Sequence, residues 1–308
     1  MVTRRNVQKY VRYIFDSESF EPHPSGSISR VALEAASVIR DVTRGPAIML
    51  HGIMPRSGTV YVGELLRHHP DLYAYPHDIW ELPFLERTGD IEKIQDAFIW
   101  SYDQNRNQIA SDDFLPLFGA SIIAYLHNST PDGKRILLKI PGVQYLHRFY
   151  DVFPYENLLL LVRDGRDVVH STVRTWPQIR FWMACLRWRR AANMSLYVNS
   201  KHNQVDKGFW LGRFEDAVED PEAFVTNACH HFGLDVEKYP WEIIGNIPVQ
   251  GSSSIDESGE VNWDPVEKPD GFQPFRHWRD WSPLRKLVFK RLAGEALRKL
   301  GYGDEEEW

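Results

Sequence analysis

Residues 46–61, PAIMLHGIMPRSGTVY, hold the densest group of anion-binding residue types in the chain. An apolar run, Ala47, Ile48, Met49 and Leu50, ends at Gly52. A short loop follows, and from Val60 the apolar spacing through Val62, Leu65 and Leu66 is that of a helix. Strand, tight loop and helix is the layout that turns successive backbone N–H groups, and the positive end of a helix, toward one anion. Gly58 lets the backbone approach that anion closely, while Ser57 and Thr59 add hydroxyl donors. Arg56 adds a fixed, forked cation suited to a tetrahedral oxyanion. The stretch reads as a phosphate cradle. It is not the nucleoside-triphosphate loop G-x-x-x-x-G-K-[ST], because Thr59 rather than lysine follows Gly58.

A second unit of the same layout begins at 157. The apolar run NLLLLV is typical of a central parallel strand, and it leads directly into Arg163, Asp164, Gly165, Arg166 and Asp167. A helix pattern follows and carries Ser171. An arginine at a strand end, with a hydroxyl on the first helical turns, suits a second phosphate. A helix cap at Asp164 or Asp167 accounts for the aspartates, but not for an arginine placed straight after a buried strand. Two further groups could handle protons or charge. Lys139 lies near the end of RILLKI, an apolar strand at 135–140, and either snorkels from an edge or is aimed at a site. His77, Asp78 and Glu81 follow a short strand expected at 72–75, where open α/β sheets place their chemistry; each alone is equally at home on a solvated surface.

The elements that must position these groups alternate between strand and helix. Helices are expected over 28–41, after the cradle, across 90–130 with a break near 111–116, over 143–152, and over 176–199. The last carries Arg187, Arg189 and Arg190 as a solvated face. Residues 1–27 read as a surface arm, with helical spacing of Val7, Tyr10, Val11 and Ile14 before a Pro/Ser/Gly linker. Residues 245–275 are rich in Ser, Gly, Asp and Pro, and a structureless loop of that length inside a domain is functional or disordered. At 308 residues, with 43% apolar and 25% charged, the chain has the make-up of a soluble globular protein large enough for one α/β domain or two small ones. A net charge of −6 argues against a general nucleic-acid binder, so affinity for an anion must come from local clusters. Two cysteines fit a reducing compartment, and no run reaches membrane-spanning length; a cytoplasmic protein is expected.

Taken together, PRSGT and LLLLVRDGRDVVHSTV resemble, in order and separation, the two nucleotide-binding segments of the sulfotransferases that use 3′-phosphoadenosine 5′-phosphosulfate (PAPS). The resemblance extends to GFWLGRFEDAVEDPEAFVTNACHHFGL and to a terminal helix like that of bacterial-type members. It implies an α/β, three-layer P-loop-like fold with a central, mainly parallel sheet flanked by helices, residues 28–308 forming a single domain. By the same resemblance, Arg56 and the backbone of Ser57, Gly58, Thr59 and Val60 hold the 5′ end of PAPS. Tyr61 and Phe214 lie near the adenine, and Arg163 and Ser171 hold the 3′-phosphate. Arg276 or Arg279 closes on that phosphate, and no metal is implied.

A general base must take the acceptor proton, and the family uses a histidine or glutamate after the second strand. Glu81 and His77 both qualify, with Glu81 preferred, and Lys139 matches a strand-end lysine that stabilises the transferred group. The acceptor is expected to be a small-molecule, lipid-linked or saccharide hydroxyl, and the product adenosine 3′,5′-bisphosphate (PAP). Two other readings stay open: an ATP-dependent phosphotransferase, and a non-catalytic protein of the same fold that binds PAPS.

Overall fold

The computed structural model describes residues 26–74, 81–202, 208–247 and 274–303. Its sheet has five strands: β1 (Ile48–Gly52), β2 (Leu72–Ala74), β3 (Arg135–Ile140), β4 (Asn157–Val162) and β5 (Phe209–Arg213). They lie in the order β2-β3-β1-β4-β5, and every neighbouring pair is parallel. Around them run α1 (Arg30–Arg40), α2 (Thr59–Arg67), α3 (Thr88–Ile99), α4 (Asp103–Gln108), α5 (Phe114–His127) and α6 (Phe149–Val152). They are followed by α7 (Gly165–Thr175), α8 (Phe181–His202), α9 (Phe214–Glu219), α10 (Pro221–Phe232) and α11 (Pro283–Lys299).

The strands are continuous apolar runs because both faces of a parallel sheet are covered, and alternation sorts their side chains into two cores. Met49, Ile136, Leu138, Leu158, Leu160 and Val162 enter one, with residues from α3, α5, α7, α8 and α11. Ile48, Leu50, Leu137, Leu159 and Leu161 enter the other, with residues from α2, α9 and α10. The three layers are those expected. With β1 central and flanked by β3 and β4, the chain leaves β1 toward one edge and later crosses to the other side. That reversal opens a crevice at the carboxyl ends of β1 and β4, the usual ligand position in open α/β sheets.

Three element boundaries differ from the sequence expectation. The helix expected over 176–199 starts at Phe181, because Pro177 disfavours helical geometry at Trp176, which takes φ −128° and ψ 79° and ends α7. Leu115 and Pro116 do not break a helix; they occupy the first turn of α5, where proline's missing N–H has no intrahelical partner to lose. The helix expected over 143–152 is a 3₁₀ turn, Leu146–Arg148, followed by the single turn of α6. Tyr145 enters it in the left-handed region at φ 58°. The buried Arg148 holds this corner through ion pairs to Asp112, Glu92 and Asp151. Arg187, Arg189 and Arg190 are half-buried rather than a solvated face.

The start of β1 is fixed by a buried ion pair. Arg40 ends α1, and its Nε and Nη2 donate to Glu156 at 2.5 and 3.0 Å; the guanidinium also reaches the carbonyls of Asp41, Arg44 and Gly45. Glu156 accepts in turn from the N–H of Ala47 at 2.5 Å. Removing one partner of such a pair leaves the other charge buried and uncompensated. Glu156→Ala is therefore expected to cost about 3–5 kcal/mol, read as a lower urea midpoint at unchanged slope.

At the other end of β1, His51 is buried against Phe149, its Nδ1–H donating to the carbonyl of Gly142 at 2.8 Å. Burial pulls its pKa from 6.5 down to about 4. The unfolded chain takes up a proton that the folded chain refuses, so this contribution to stability is complete above pH 6.5 and is lost as pH falls toward about 4. His51→Gln, which keeps a donor for the carbonyl, is expected to flatten the decline of the urea midpoint across that window.

Candidate active site

Two loops meet at the carboxyl ends of β1 and β4. The first, residues 53–58, is anchored by the N–H of Ile53 on the carbonyl of Leu161 at 2.8 Å. It turns through two left-handed residues, Arg56 at φ 79° and Gly58 at φ 87°. Ser57 is buried, and both its N–H and its hydroxyl donate to the carbonyl of Met54, at 3.2 and 2.7 Å. Its hydroxyl thus closes the turn that presents Arg56. Gly58 precedes α2 with no side-chain cap, so the N–H groups of Thr59, Val60 and Tyr61 head the helix without a side-chain acceptor at its cap.

Gly58 has a second constraint besides its backbone angle. A Cβ there would lie 2.1 Å from the Phe214 ring. Phe214, at the end of β5, is only 4% exposed; it fills the space beneath the glycine and meets Tyr61 edge-on with ring centres 6.2 Å apart. The Tyr61 hydroxyl donates to the carbonyl of Ala217 at 3.4 Å. Glycine in this loop accommodates an aromatic ring from the far end of the sheet.

The second loop leaves β4 at Arg163. Its Nη1 donates to the carbonyl of Arg56 at 2.8 Å, its Nη2 donates to the carbonyl of Pro274, and its guanidinium lies 4.4 Å over the Phe214 ring. Its Nε is buried with no hydrogen-bond partner among the described residues. Arg56 reaches back through Nε to the hydroxyl of Ser171 on α7, at 3.2 Å. Arg56, Arg163 and Ser171, expected at opposite ends of one bound molecule, therefore adjoin. Burial first, and the neighbouring Arg163 second, lower the pKa of Arg56 to about 10. Two cations held together in a partly buried mouth are costly until an anion joins them.

The acids of the second loop have separate tasks. Asp164 caps α7, accepting from the N–H of Arg166 at 2.8 Å, and pairs with the Arg166 guanidinium, which stacks 3.7 Å over Trp278. Arg166 is thus built into the interior. Asp167 accepts from the backbone N–H groups of Arg276 and His277 at 2.7 and 2.9 Å. Burial pushes its carboxyl up from the usual range despite those bonds and Arg163. The exposed side chain of Arg276 is in this way carried to the turn that precedes Ser171, on a backbone in the left-handed region at φ 72°. Glu215 accepts from the N–H of Asp164 at 2.9 Å and from the Tyr302 hydroxyl at 2.8 Å, tying the loop to the end of the chain.

On the other side of β1, Lys139 lies on β3 in register with Leu50. Its Nζ donates to Glu81 Oε1 at 2.6 Å; the lysine is 3% exposed and the glutamate 34%. The lysine is therefore aimed inward at a carboxylate that solvent still reaches. His77 and Asp78 fall outside the described residues, as do residues 248–273 of the long loop. Nothing in the sequence pattern marks Glu215 or the carbonyl of Pro274, and Asp167 stands there only as a possible cap. One signal was available: DGRD offers two acids for a single cap position, so the second acid needed another partner.

A model of the Sulfotransferase family matches residues 46–238, more than half of the chain. The nodulation protein NoeE of Sinorhizobium fredii (strain NBRC 101917 / NGR234) is 30% identical over 149 residues, 44% of this chain and 33% of NoeE. The chain thus spans about a third of that relative's length. Protein-tyrosine sulfotransferase 1 of Danio rerio is 25% identical over 279 residues, 83% of this chain and 72% of that protein. Among solved structures, the sulfotransferase domain of the Synechococcus PCC 7002 olefin synthase is alike in fold. It has a TM-score of 0.51 at 18% identity, over 85% of this chain and 97% of that domain. Both loops and all five strands fall inside the matched span, and the chain belongs to the sulfotransferase family.

Proposed function

We propose that residues 28–308 act as one domain that transfers a sulfuryl group from PAPS to a hydroxyl of a small-molecule, lipid-linked or saccharide acceptor, leaving PAP. The observation that carries this reading is the meeting of Arg56, Arg163 and Ser171 at adjoining strand ends. The residues suit such a ligand. An anion offsets the burial, and after it the repulsion by Arg163, that lower the pKa of Arg56, and among the described residues the buried Nε of Arg163 has no hydrogen-bond partner. Arg56 and the N–H groups at the head of α2 would hold the 5′ end. Arg163, Ser171 and Arg276 would hold the 3′-phosphate, with Tyr61 and Phe214 beside the adenine. PAPS supplies the activated sulfuryl group and a phosphate leaving group.

The chain's own residues position and stabilise. Arg56 faces the negative charge that builds up on the bridging oxygen as the bond to the sulfuryl group breaks. Glu81, one third exposed, accepts the proton of the attacking hydroxyl, and Lys139 orients that carboxylate through the 2.6 Å bond. His77 is the alternative base. With no lysine after Gly58, the loop lacks the residue with which a triphosphate loop reaches the terminal phosphates.

Arg56→Ala and Arg163→Ala are each expected to lower kcat/KM by about 10²–10³ and to abolish the thermal shift given by PAP, with the far-ultraviolet circular dichroism unchanged. Turnover like that of the parent in either variant would remove the assignment. For the base, Glu81→Gln and His77→Ala are to be compared by kcat at saturating acceptor, using labelled PAPS with sugar, lipid-linked and tyrosine-peptide acceptors. A loss confined to Glu81→Gln, of about 10²–10⁴, is expected; a loss confined to His77→Ala reassigns the role.

A further inference from the structure

The last helix presents a face that the transfer reaction does not use. Its residues 283–299 hold six cations (Arg285, Lys286, Lys290, Arg291, Arg298 and Lys299) against one carboxylate, Glu295. The helix carries +5 in a chain whose net charge is −6, so the remainder carries −11. The inner side of α11 is fixed. Phe289, Ala293, Ala296 and Leu297 are buried, and the Phe289 ring lies 5.8 Å from Trp188 of α8 and 5.6 Å from Trp281.

The outer side is equally regular. Leu284, Leu287, Arg291 and Arg298 follow one another at spacings of three, four and seven, which places them along one line of the helix. All four are exposed, and the two leucines are bare at 69% and 63%. Beside this line lies a groove of about 320 Å³ between α8 and α11, lined by Arg189, Asn193, Lys290, Arg291, Arg298 and Lys299 among others. Glu295 is the acid on this surface, and it pairs with Lys299 at 2.8 Å.

We propose that the outer face of α11 docks on the surface of a bilayer that carries anionic headgroups. Cations flanking exposed leucines on a helix whose opposite face is already anchored match the two demands of such a surface. The leucines enter the boundary of the acyl chains while the basic groups stay among the headgroups. A nucleic acid would use the cations but gives two bare leucines nothing to enter. The remaining charge of −11 would be repelled by the same surface, so docking is confined to this face and sets the molecule's orientation. The helix follows Arg276 by six residues. The docking itself does not depend on the reaction.

The test is flotation of the full chain with vesicles of phosphatidylcholine alone, and of phosphatidylcholine mixed with phosphatidylglycerol. The full chain is used, with the four acids at 304–307. Binding is expected to the mixed vesicles only and to weaken as salt rises. Arg291→Gln with Arg298→Gln is expected to weaken it about 25-fold, at about fivefold per cation. Leu284→Ser with Leu287→Ser should weaken it also, and should remove whatever binding persists in high salt. Both double variants are expected to keep the PAP-induced thermal shift, which separates loss of docking from loss of fold or of the nucleotide site. Equal binding to neutral vesicles, undiminished binding by the double arginine variant, or tighter binding to a DNA duplex than to the mixed vesicles overturns the proposal.

Discussion

Two guanidiniums repel each other at the mouth of this sheet, and most of the surrounding architecture keeps them together. Arg56 and Arg163 come from loops more than a hundred residues apart, each following a central strand: Arg163 directly after β4, Arg56 four residues beyond β1. Arg163 is held by what it donates to, the carbonyls of Arg56 and Pro274, and by the ring beneath it. A carboxylate paired with Arg163 would occupy the place of the ligand. The nearby acids take other partners: Asp164 the N–H and guanidinium of Arg166, Asp167 the N–H groups of Arg276 and His277, Glu215 the N–H of Asp164 and the Tyr302 hydroxyl. An anion arriving at this mouth offsets both the burial of Arg56 and its repulsion by Arg163.

The other side of β1 handles the opposite sign. Lys139 is buried to its tip and meets Glu81, whose carboxylate is open to solvent. A buried cation holding a half-exposed acid gives the acid a fixed direction while leaving room for a partner to approach. The crevice therefore has a cationic half built on β1 and β4, and a paired half built on β3. A molecule carrying a strongly anionic end and a neutral hydroxyl partner would be sorted by that asymmetry.

Much of this was legible in the sequence wherever the pattern and the physical demand coincide. RILLKI and NLLLLV are strands to the residue because a doubly covered strand has no polar face to blur its ends. Arg163 was found because an arginine directly after such a strand has no packing reason to be there, Arg56 because its loop joins a strand to a helix, and Ser171 because it adds a hydroxyl to the helix that follows. What sequence could not show were tasks assigned by distant neighbours. The Ser57 hydroxyl turns back to Met54, Gly58 makes room for Phe214, and Asp167 reads backbone N–H groups of residues 276 and 277. The helix starts expected at 176 and 143 were misplaced for a local reason: apolar periodicity runs on through a pre-proline residue or a left-handed one without recording the turn.

The ring of Phe214 under Gly58 has a consequence for the order in which the protein comes into being. The first loop is complete in sequence by residue 59, yet its floor is supplied by residue 214, and the carbonyl that steadies Arg163 by residue 274. Synthesis runs from the N-terminus and domains fold as units as the chain emerges. A growing chain on the ribosome therefore carries the PRSGT string long before it carries a nucleotide grip. The nucleotide cannot serve as a template for the early stages of folding; it can reward only a polypeptide that is almost entirely made.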